Sequence, residues 1–563
     1  MSISKSYKVS FRSFIDGSAP KCSSKIRIPD FQRNFVWSNK QIIKFIDSVL
    51  DNDEKFYIGN FVIQQKDGGE NLIVDGQQRI VTILFILISI FYLTDKDNIK
   101  RDIRDILYVS NSSKKLRLSF SRKGMNNIYK NICDNTYENL KTNDKVLLAI
   151  VKRYKSIKDK VRKVDYEKLL NKIKKIELIT INCESTHNVI GLYQGLNSTS
   201  KPLRPMELVK SLLIEENKNN KKVWSNLEIL FSNRNPSWFD KFIRHHWFSI
   251  GGYISNDNLY DSVSKYSKKE RDYINDLNKS ANIYIELRDA EFSNKGITWK
   301  KMSTKPEVRY LLECLRLLRL DQVYAPLLSL LKFGQNNAYY LENNNFFRDL
   351  YKIYSFVVLL KFSDSNPNKV ERIFAKFCND INLPGITKNE FEAIRLKFYE
   401  NLFTRLPDGK VFKKNIYNIK YSTKSEDKTG DKQLVDSLLS IYLLSDTENI
   451  IPGSCTIEHI FPQGNYDKWI ISKNAKKKLI DGSYRYLFGN LTLLSIDEDR
   501  GKNLSFDNKY NKVYKNSKKF IKNIYLNKYN FASKDPSLAI KTRGEEMADL
   551  IFEVLKNNLR KIE

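Results

Sequence analysis

Histidine is scarce in this chain: four among 563 residues, at positions 187, 245, 246 and 459. Any histidine set in a patterned stretch is therefore conspicuous. Cysteine is equally sparse and dispersed, with six residues at 22, 133, 183, 314, 378 and 455. No Cys-x-x-Cys is present, which excludes a zinc knuckle and a dithiol redox motif, and scattered single thiols suit a reducing cytosol. No Gly-x-x-x-x-Gly-Lys-Ser/Thr occurs, so this is not a P-loop enzyme. The N-terminus lacks the apolar core of a signal peptide. The longest greasy run, Ile80 to Leu93, is interrupted by Thr82 and Ser89 and is too short to span a bilayer. A soluble, cytoplasmic protein with no membrane partner is expected. Acidic residues are outnumbered, 65 Asp plus Glu against 96 Lys plus Arg, for a formal net charge of +31. Such a surplus favours a polyanion, nucleic acid foremost, although Lys-rich compositional drift accounts for part of it.

What is there is ordinary folded-protein chemistry: 41% apolar and 12% aromatic residues. At this length a single core is not expected. The pattern predicts an α+β multidomain protein, predominantly helical. Residues 1–215 read as α/β. Ile26–Arg33 is extended around Pro29, and Ser38 with Gln41 forms a capping box opening an amphipathic helix. Phe61–Gln65 and Leu72–Val74 read as strands about the turn at 66–69, and Lys-rich helices fill 97–175. Ile176–Cys183 returns to strand, and Pro205 starts a helix. Residues 216–407 read as a helical middle domain. The polar, Gly-punctuated stretch 408–432 reads as a linker, and 433–563 as a C-terminal domain.

Two constellations carry chemistry. In the first, an apolar strand ends at Val74 and Asp75-Gly76-Gln77-Gln78-Arg79 leads into a helix. Gly76 permits a sharp turn, the helix start can hold a phosphate, and Arg79 can fork onto phosphate oxygens. Asp75 can hold a cation or a polarised water, and the Gln amides can orient a ligand. Gln32 and Arg33 offer another amide and guanidinium on an extended segment. The plainer reading is a βα turn with a capping aspartate and a solvated arginine.

The second constellation is Thr456-Ile457-Glu458-His459-Ile460-Phe461-Pro462-Gln463, followed by Gly489-Asn490-Leu491-Thr492-Leu493-Leu494. A histidine at a strand end can take a proton from an attacking water, and neighbouring carboxylates suit Mg²⁺ or Mn²⁺. Asn490 can fix the loop that carries His459. Asp499, nine residues beyond Asn490, can complete a metal site with Glu458, with Asn503 as the fallback ligand. Arg485, Arg500, Lys502, Lys509 and Lys512 can hold a phosphate backbone. An isolated Glu-His pair would more simply be a buried, hydrogen-bonded histidine beside a surface glutamate. His245-His246 beside Trp247 reads as core or interface.

Both ends resemble the GmrSD family of modification-dependent restriction endonucleases. The N-terminal resemblance rests on Ile28-Pro-Asp-Phe-Gln-Arg33, Trp37, Gly59–Ile63, Asp75–Arg79 and Leu196–Leu208, which includes Asn197. The C-terminal resemblance rests on Thr456–Gln463, Trp469, Gly489–Leu494, Asn503–Phe506 with Lys509, and Ile540–Arg543. It implies a ParB/sulfiredoxin-like unit that binds and hydrolyses a nucleoside triphosphate (GTP, ATP or UTP) at Asp75, Gly76, Gln77, Gln78 and Arg79, supported by Gln32, Arg33 and Asn197. It also implies an HNH-type, ββα-metal nuclease unit with flanking helices. There His459 is the base, with Asn490 fixing its loop, and Glu458 holds the metal with Asp499 or Asn503. Asp499 departs from the asparagine usual at the last metal position. The expectation is an NTP-regulated DNA endonuclease of anti-phage defence acting on foreign, modified DNA, with a homodimer or accessory defence proteins as further partners. A nucleotide-gated DNA-binding protein with a degenerate nuclease site and an RNase toxin are the alternatives.

Overall fold

The computed structural model describes residues 4–29, 35–52, 56–66, 69–110, 115–139, 144–182, 205–217, 219–235, 237–269, 272–290, 306–342, 344–365, 370–422, 430–445, 455–464, 466–498 and 504–560. The chain divides into two compact units, 1–218 and 219–563.

The first unit is built on a six-stranded mixed sheet. Its strands are β1 (Ser4–Ser10), β2 (Ile26–Ile28), β3 (Tyr57–Lys66), β4 (Glu70–Ile73), β5 (Leu118–Phe120) and β6 (Glu177–Asn182), in the order β1-β6-β3-β4-β2-β5. β3 and β4 form an antiparallel hairpin, whereas β3–β6, β2–β4 and β2–β5 are parallel. The periodicity of the sequence marks β3, β4 and β6 but misses two strands. β1 alternates lysine and serine with few apolar residues, and β5 is three residues long. Neither carries a pattern strong enough to be read before its neighbours in the sheet are known.

The helix Gln77–Leu93 fills the core of this unit, with every residue from Ile80 to Ile90 buried. An all-round apolar helix of this kind belongs inside a domain. Ser38 and Gln41 exchange capping hydrogen bonds at the start of the helix Asn39–Asp51.

The second unit is mostly helical and includes the two-stranded β7 (Cys455–His459) and β8 (Leu491–Ser495). A fully buried carboxylate, Asp349, ties three of its helices together. It accepts from Tyr340 and Tyr399 hydroxyls at 2.6 Å each and from Arg395 Nε at 2.7 Å. Charge that deep is tolerable only with full hydrogen bonding.

The stretch expected as a linker contains structure. Gly409–Tyr417 is a helix with Phe412 and Ile416 buried, and Phe412 meets Phe552 of the C-terminal helix Pro536–Arg560 at 5.4 Å between centroids. Two apolar residues spaced i, i+4 suffice to seat a short helix, and the surrounding lysines and glycine hide that pair from a composition-based reading. Among the described residues no helix is long and apolar enough to cross a membrane.

Candidate functional site

His459 is the last residue of β7 and pairs across the antiparallel ladder with Leu491, the first residue of β8. The two strands are short, and the turn before β8 is held from several sides. Asn490, fully buried, accepts from Phe461 N at 2.8 Å and donates to Phe461 O at 2.9 Å and Arg485 O at 2.7 Å. Its own carbonyl accepts from Ile460 N at 2.9 Å. Gly489 is pressed so closely onto the C-terminal helix that a Cβ would lie 2.0 Å from the carbonyl oxygen of Ile540. From that helix Arg543, also buried, donates to Gly489 O at 2.7 Å and Leu491 O at 2.8 Å. Asn523 buttresses the other edge, donating to Leu493 O at 2.9 Å and accepting from Thr492 Oγ1.

This scaffold fixes the histidine's proton. His459 Nε2 lies 2.9 Å from Tyr421 O, and a backbone carbonyl can only accept, so Nε2 carries the hydrogen. The basic lone pair is therefore on Nδ1, where the amide of Gln463 donates at 2.7 Å; the same amide nitrogen lies 3.0 Å from Nε2 and so sits across the edge of the ring. His459 is 6% exposed, and burial pushes its pKa down to about 4 despite the Tyr421 contact, which raises it. The imidazole is neutral at physiological pH and holds a lone pair on a defined atom.

Glu458, the residue before it, is side-chain bonded to Lys509 on the helix Phe506–Lys512. Lys509 is 4% exposed and also donates to His459 O at 3.2 Å. Burial works against its charge, yet Tyr514 and Glu458 outweigh that and raise its pKa. The expected phosphate-holding role of Lys509 thus gives way to an internal one. Arg485 is likewise turned inward: it donates to Gln463 O at 2.8 Å and lies 4.9 Å over the Tyr486 ring.

The carboxylate oxygens of Glu458 have the hardness that Mg²⁺ prefers. Among the described residues, however, no group of three or more His, Cys, Asp or Glu converges. Asp499 and Asn503, and with them Arg500 and Lys502, lie outside the described residues.

In the first unit, the turn Val74–Gly76 follows β4. Gly76 has φ +102°, and a Cβ there would lie 2.5 Å from the Phe61 ring, so only glycine fits. No side chain caps the helix that begins at Gln77. Arg79 folds back: it donates to Ile58 O at 2.6 Å, Asn60 O at 2.8 Å and Asp75 Oδ2 at 3.0 Å. It approaches Gly59 (φ +97°) so closely that a Cβ there would sit 2.4 Å from its Nη1. Gln78, buried, accepts from Val36 N at 2.8 Å and Trp37 N at 3.3 Å, and Gln77 is buried beside it.

The motif is thus an internal clamp in which Arg79 and Gln78 satisfy backbone groups of the neighbouring β3 and of the segment after 30–34. Because β2 and β4 are adjacent and parallel, their C-terminal residues Ile28 and Ile73 lie at the same end of the sheet. Gln32, Arg33 and Asn197 lie outside the described residues.

Reading residues alone overlooks three contributors to the second site. Tyr421 acts through its carbonyl, which no side-chain pattern reveals. Gln463 falls inside the motif but beyond Pro462, and Arg543 is 84 residues from His459 in sequence. The remaining histidine pair is internal: His245 Nδ1 lies 3.0 Å from Tyr284 Oη, and His246 Nε2 lies 2.9 Å from Asp276.

Comparison with known proteins accounts for both ends of the chain. The sequence model for the N-terminal domain of the GmrSD restriction endonuclease matches residues 13–214, and that for the C-terminal domain of GmrSD restriction endonucleases matches residues 396–550. An uncharacterized protein of Methanocaldococcus jannaschii is 32% identical over 89 residues, covering 12% of this chain and 15% of that protein. The chain thus spans only a small part of that relative's length. Two family models matched in order, one over the clamp at Asp75–Arg79 and one over the β7–β8 pair that carries His459, show that the chain belongs to the GmrSD family of restriction endonucleases.

Proposed function

We propose that this chain is a metal-dependent DNA endonuclease of phage defence whose cutting is licensed by a nucleoside triphosphate and directed at modified foreign DNA. The observation that carries the nuclease reading is the proton arrangement on His459. Nε2 is committed to the Tyr421 carbonyl, and Nδ1 keeps an unprotonated lone pair that meets the amide of Gln463, which also lies 3.0 Å from Nε2. In this reading Nδ1 takes a proton from the attacking water, and Tyr421 O steadies the imidazolium that forms. Asn490 and Arg543 keep the strand ends from shifting, which preserves the distance between base and phosphate. Glu458, with Asp499 or Asn503, would hold Mg²⁺ or Mn²⁺. When bound, that ion would stabilise charge on the phosphate and the leaving oxygen. A ββα-metal, HNH-type unit is supported by the order β7, β8 and the helix Phe506–Lys512.

The nucleotide reading is supported by the Asp75–Arg79 turn and the side-chain-uncapped start of the helix at Gln77, a natural phosphate pole. Because Arg79 is engaged with β3, its part is to shape the turn. The phosphate contacts fall to backbone amides and to residues from 32–33 and 197.

The deciding experiment incubates purified protein with modified and unmodified phage DNA and with matched RNA, with Mg²⁺ or Mn²⁺, with and without each NTP. Cleavage of modified DNA that requires both metal and NTP and is lost in His459→Ala supports the reading. Equal cleavage by His459→Ala would overturn the assignment of the base. Cleavage of RNA alone would replace this reading with that of a toxin, and DNA binding without cleavage with that of a degenerate site.

A further inference from the structure

In the second unit, and sharing no residue with the His459 site, a cavity of about 430 Å³ opens between the helices Glu371–Asp380 and Lys388–Phe403. Its floor is apolar, formed by Ile373, Ile394 and Phe398, and Phe398 is stacked on Phe377 at 4.0 Å between centroids. Its rim carries four cations, Arg372, Lys376, Lys397 and Arg405, against one carboxylate, Asp380. Lys376 already takes that carboxylate at 2.7 Å. Among the described residues Arg372, Lys397 and Arg405 have no carboxylate partner, and all three are exposed.

The bland explanation is a Lys-rich chain that places solvated cations on every face. Two features set this place apart. Two of the three cations without a carboxylate partner are arginines, in a chain whose cations are mostly lysine, and the guanidinium fork suits phosphate; Arg372 also lies 5.1 Å over the exposed ring of Tyr253. All three also ring a concavity of ligand size rather than a convex helix face.

We propose that this cavity takes one nucleotide of a DNA strand, its base against the Ile373–Ile394–Phe398 floor and its flanking phosphates on Arg372, Lys397 and Arg405. A flat apolar body strung on a regular polyanion matches an apolar floor with a cationic rim. An acidic peptide presents a flat body only at its aromatic residues, and a free mononucleotide carries its phosphate at one end, whereas a strand sets a phosphate on either side of every base. The inference rests on the DNA substrate of the family and not on the proposed metal or NTP chemistry.

The test uses the full chain in EDTA and measures the anisotropy of a labelled single-stranded oligonucleotide across a salt series. Under these conditions neither cleavage nor nucleotide hydrolysis enters the result. The triple variant Arg372→Glu/Lys397→Glu/Arg405→Glu is expected to weaken binding at least tenfold at about 0.1 M salt. It should also flatten the log–log salt slope by about 2, the value for three phosphates on a single strand. The same charge change at Lys268, Lys269 and Lys279, exposed elsewhere on the unit, should leave binding near wild type. Asn401→Trp, which fills the cavity and keeps the cations, should weaken binding about tenfold by excluding the base. A neutral Gln triple at 372, 397 and 405 should preserve this ordering should the Glu triple fail to fold. Equal weakening by the two Glu triples would reduce the effect to net charge, and wild-type binding by Asn401→Trp would remove the base from the cavity. Either result overturns the proposal.

Discussion

Asn490 satisfies both backbone polar groups of Phe461 with one side chain, its Oδ1 taking the amide hydrogen and its Nδ2 reaching the carbonyl. The candidate base is therefore two residues from a rigid cross-link between the end of β7 and the start of β8. Asn490→Ala would leave Phe461 N and O buried without these partners, at about 1–3 kcal/mol for each group left unsatisfied, and would strip the half-buried Arg485 O of its contact. A fall of several degrees in the unfolding midpoint is expected, with cleavage lost in step. A midpoint unchanged from wild type would show that the cross-link contributes nothing to the fold.

With His459 as the proposed base, its depressed pKa is expected to set the acid limb of the cleavage profile. An imidazole near the usual 6.5 would lose activity through the pH 6–7 range; one at about 4 stays unprotonated there. Single-turnover cleavage should therefore show no histidine-type inflection between pH 5.5 and 7.5. A clear loss centred on pH 6.5 would contradict this environment.

Stability should respond to acid in a related way. His459, His245 (about 3) and His246 all titrate below their unfolded value, chiefly through burial. As pH falls, the unfolded chain binds protons first, from about 6.5 downward, while the folded imidazoles resist. The stability these three histidines contribute to the second unit is thus fully present above about pH 6.5 and is lost progressively as pH falls toward their folded values. Thermal melts at pH 7.5 and 5.0 should differ by several degrees. His246→Gln should narrow that gap, and an unaltered gap would show that His246 is not a source of it.

Lys509→Met keeps much of the side chain's shape but leaves Glu458 half-buried without its counter-charge. Breaking a buried pair by removing one partner costs roughly 3–5 kcal/mol, less here because Glu458 is partly solvated. The variant should melt earlier than wild type without metal and recover more than wild type on adding Mn²⁺, because the ion supplies the missing positive charge. Equal Mn²⁺ shifts in the two proteins would argue against Glu458 as a metal ligand.

In the first unit, Gly76→Ala meets the Phe61 ring and a left-handed backbone at once. Arg79→Lys cannot span Ile58 O, Asn60 O and Asp75 together. Each should lower the stability of this unit by more than about 1 kcal/mol, read by hydrogen exchange in β3 and in the helix Gln77–Leu93. Exchange unaltered in both variants would show that the motif is not a clamp.

The elements with strong periodicity were legible in the sequence: the hairpin β3–β4, the strand β6, the apolar helix after Gly76 and the capped helix after Ser38. β1, β5 and the helix Gly409–Tyr417 were not, because their stability comes from neighbours distant in sequence. The candidate site divides the same way. His459, Glu458 and Asn490 stand in a readable motif. The carbonyl of Tyr421 is invisible to side-chain reasoning, and the inward turn of Arg79, Arg485 and Lys509 follows from burial that only packing reveals. A cation in a motif does not say whether it faces a ligand or its own backbone.

The seating of Gly489 against Ile540 O, with Arg543 capping the carbonyls of Gly489 and Leu491, gives synthesis a direction. A ribosome delivers the Glu458–His459 strand well before it delivers Arg543. Until the later helix emerges, those carbonyls have no guanidinium to close on and the turn before β8 has no surface to rest against. A nascent chain therefore carries His459 before it carries the support that holds it in place, and the β7–β8 pair is completed late in translation.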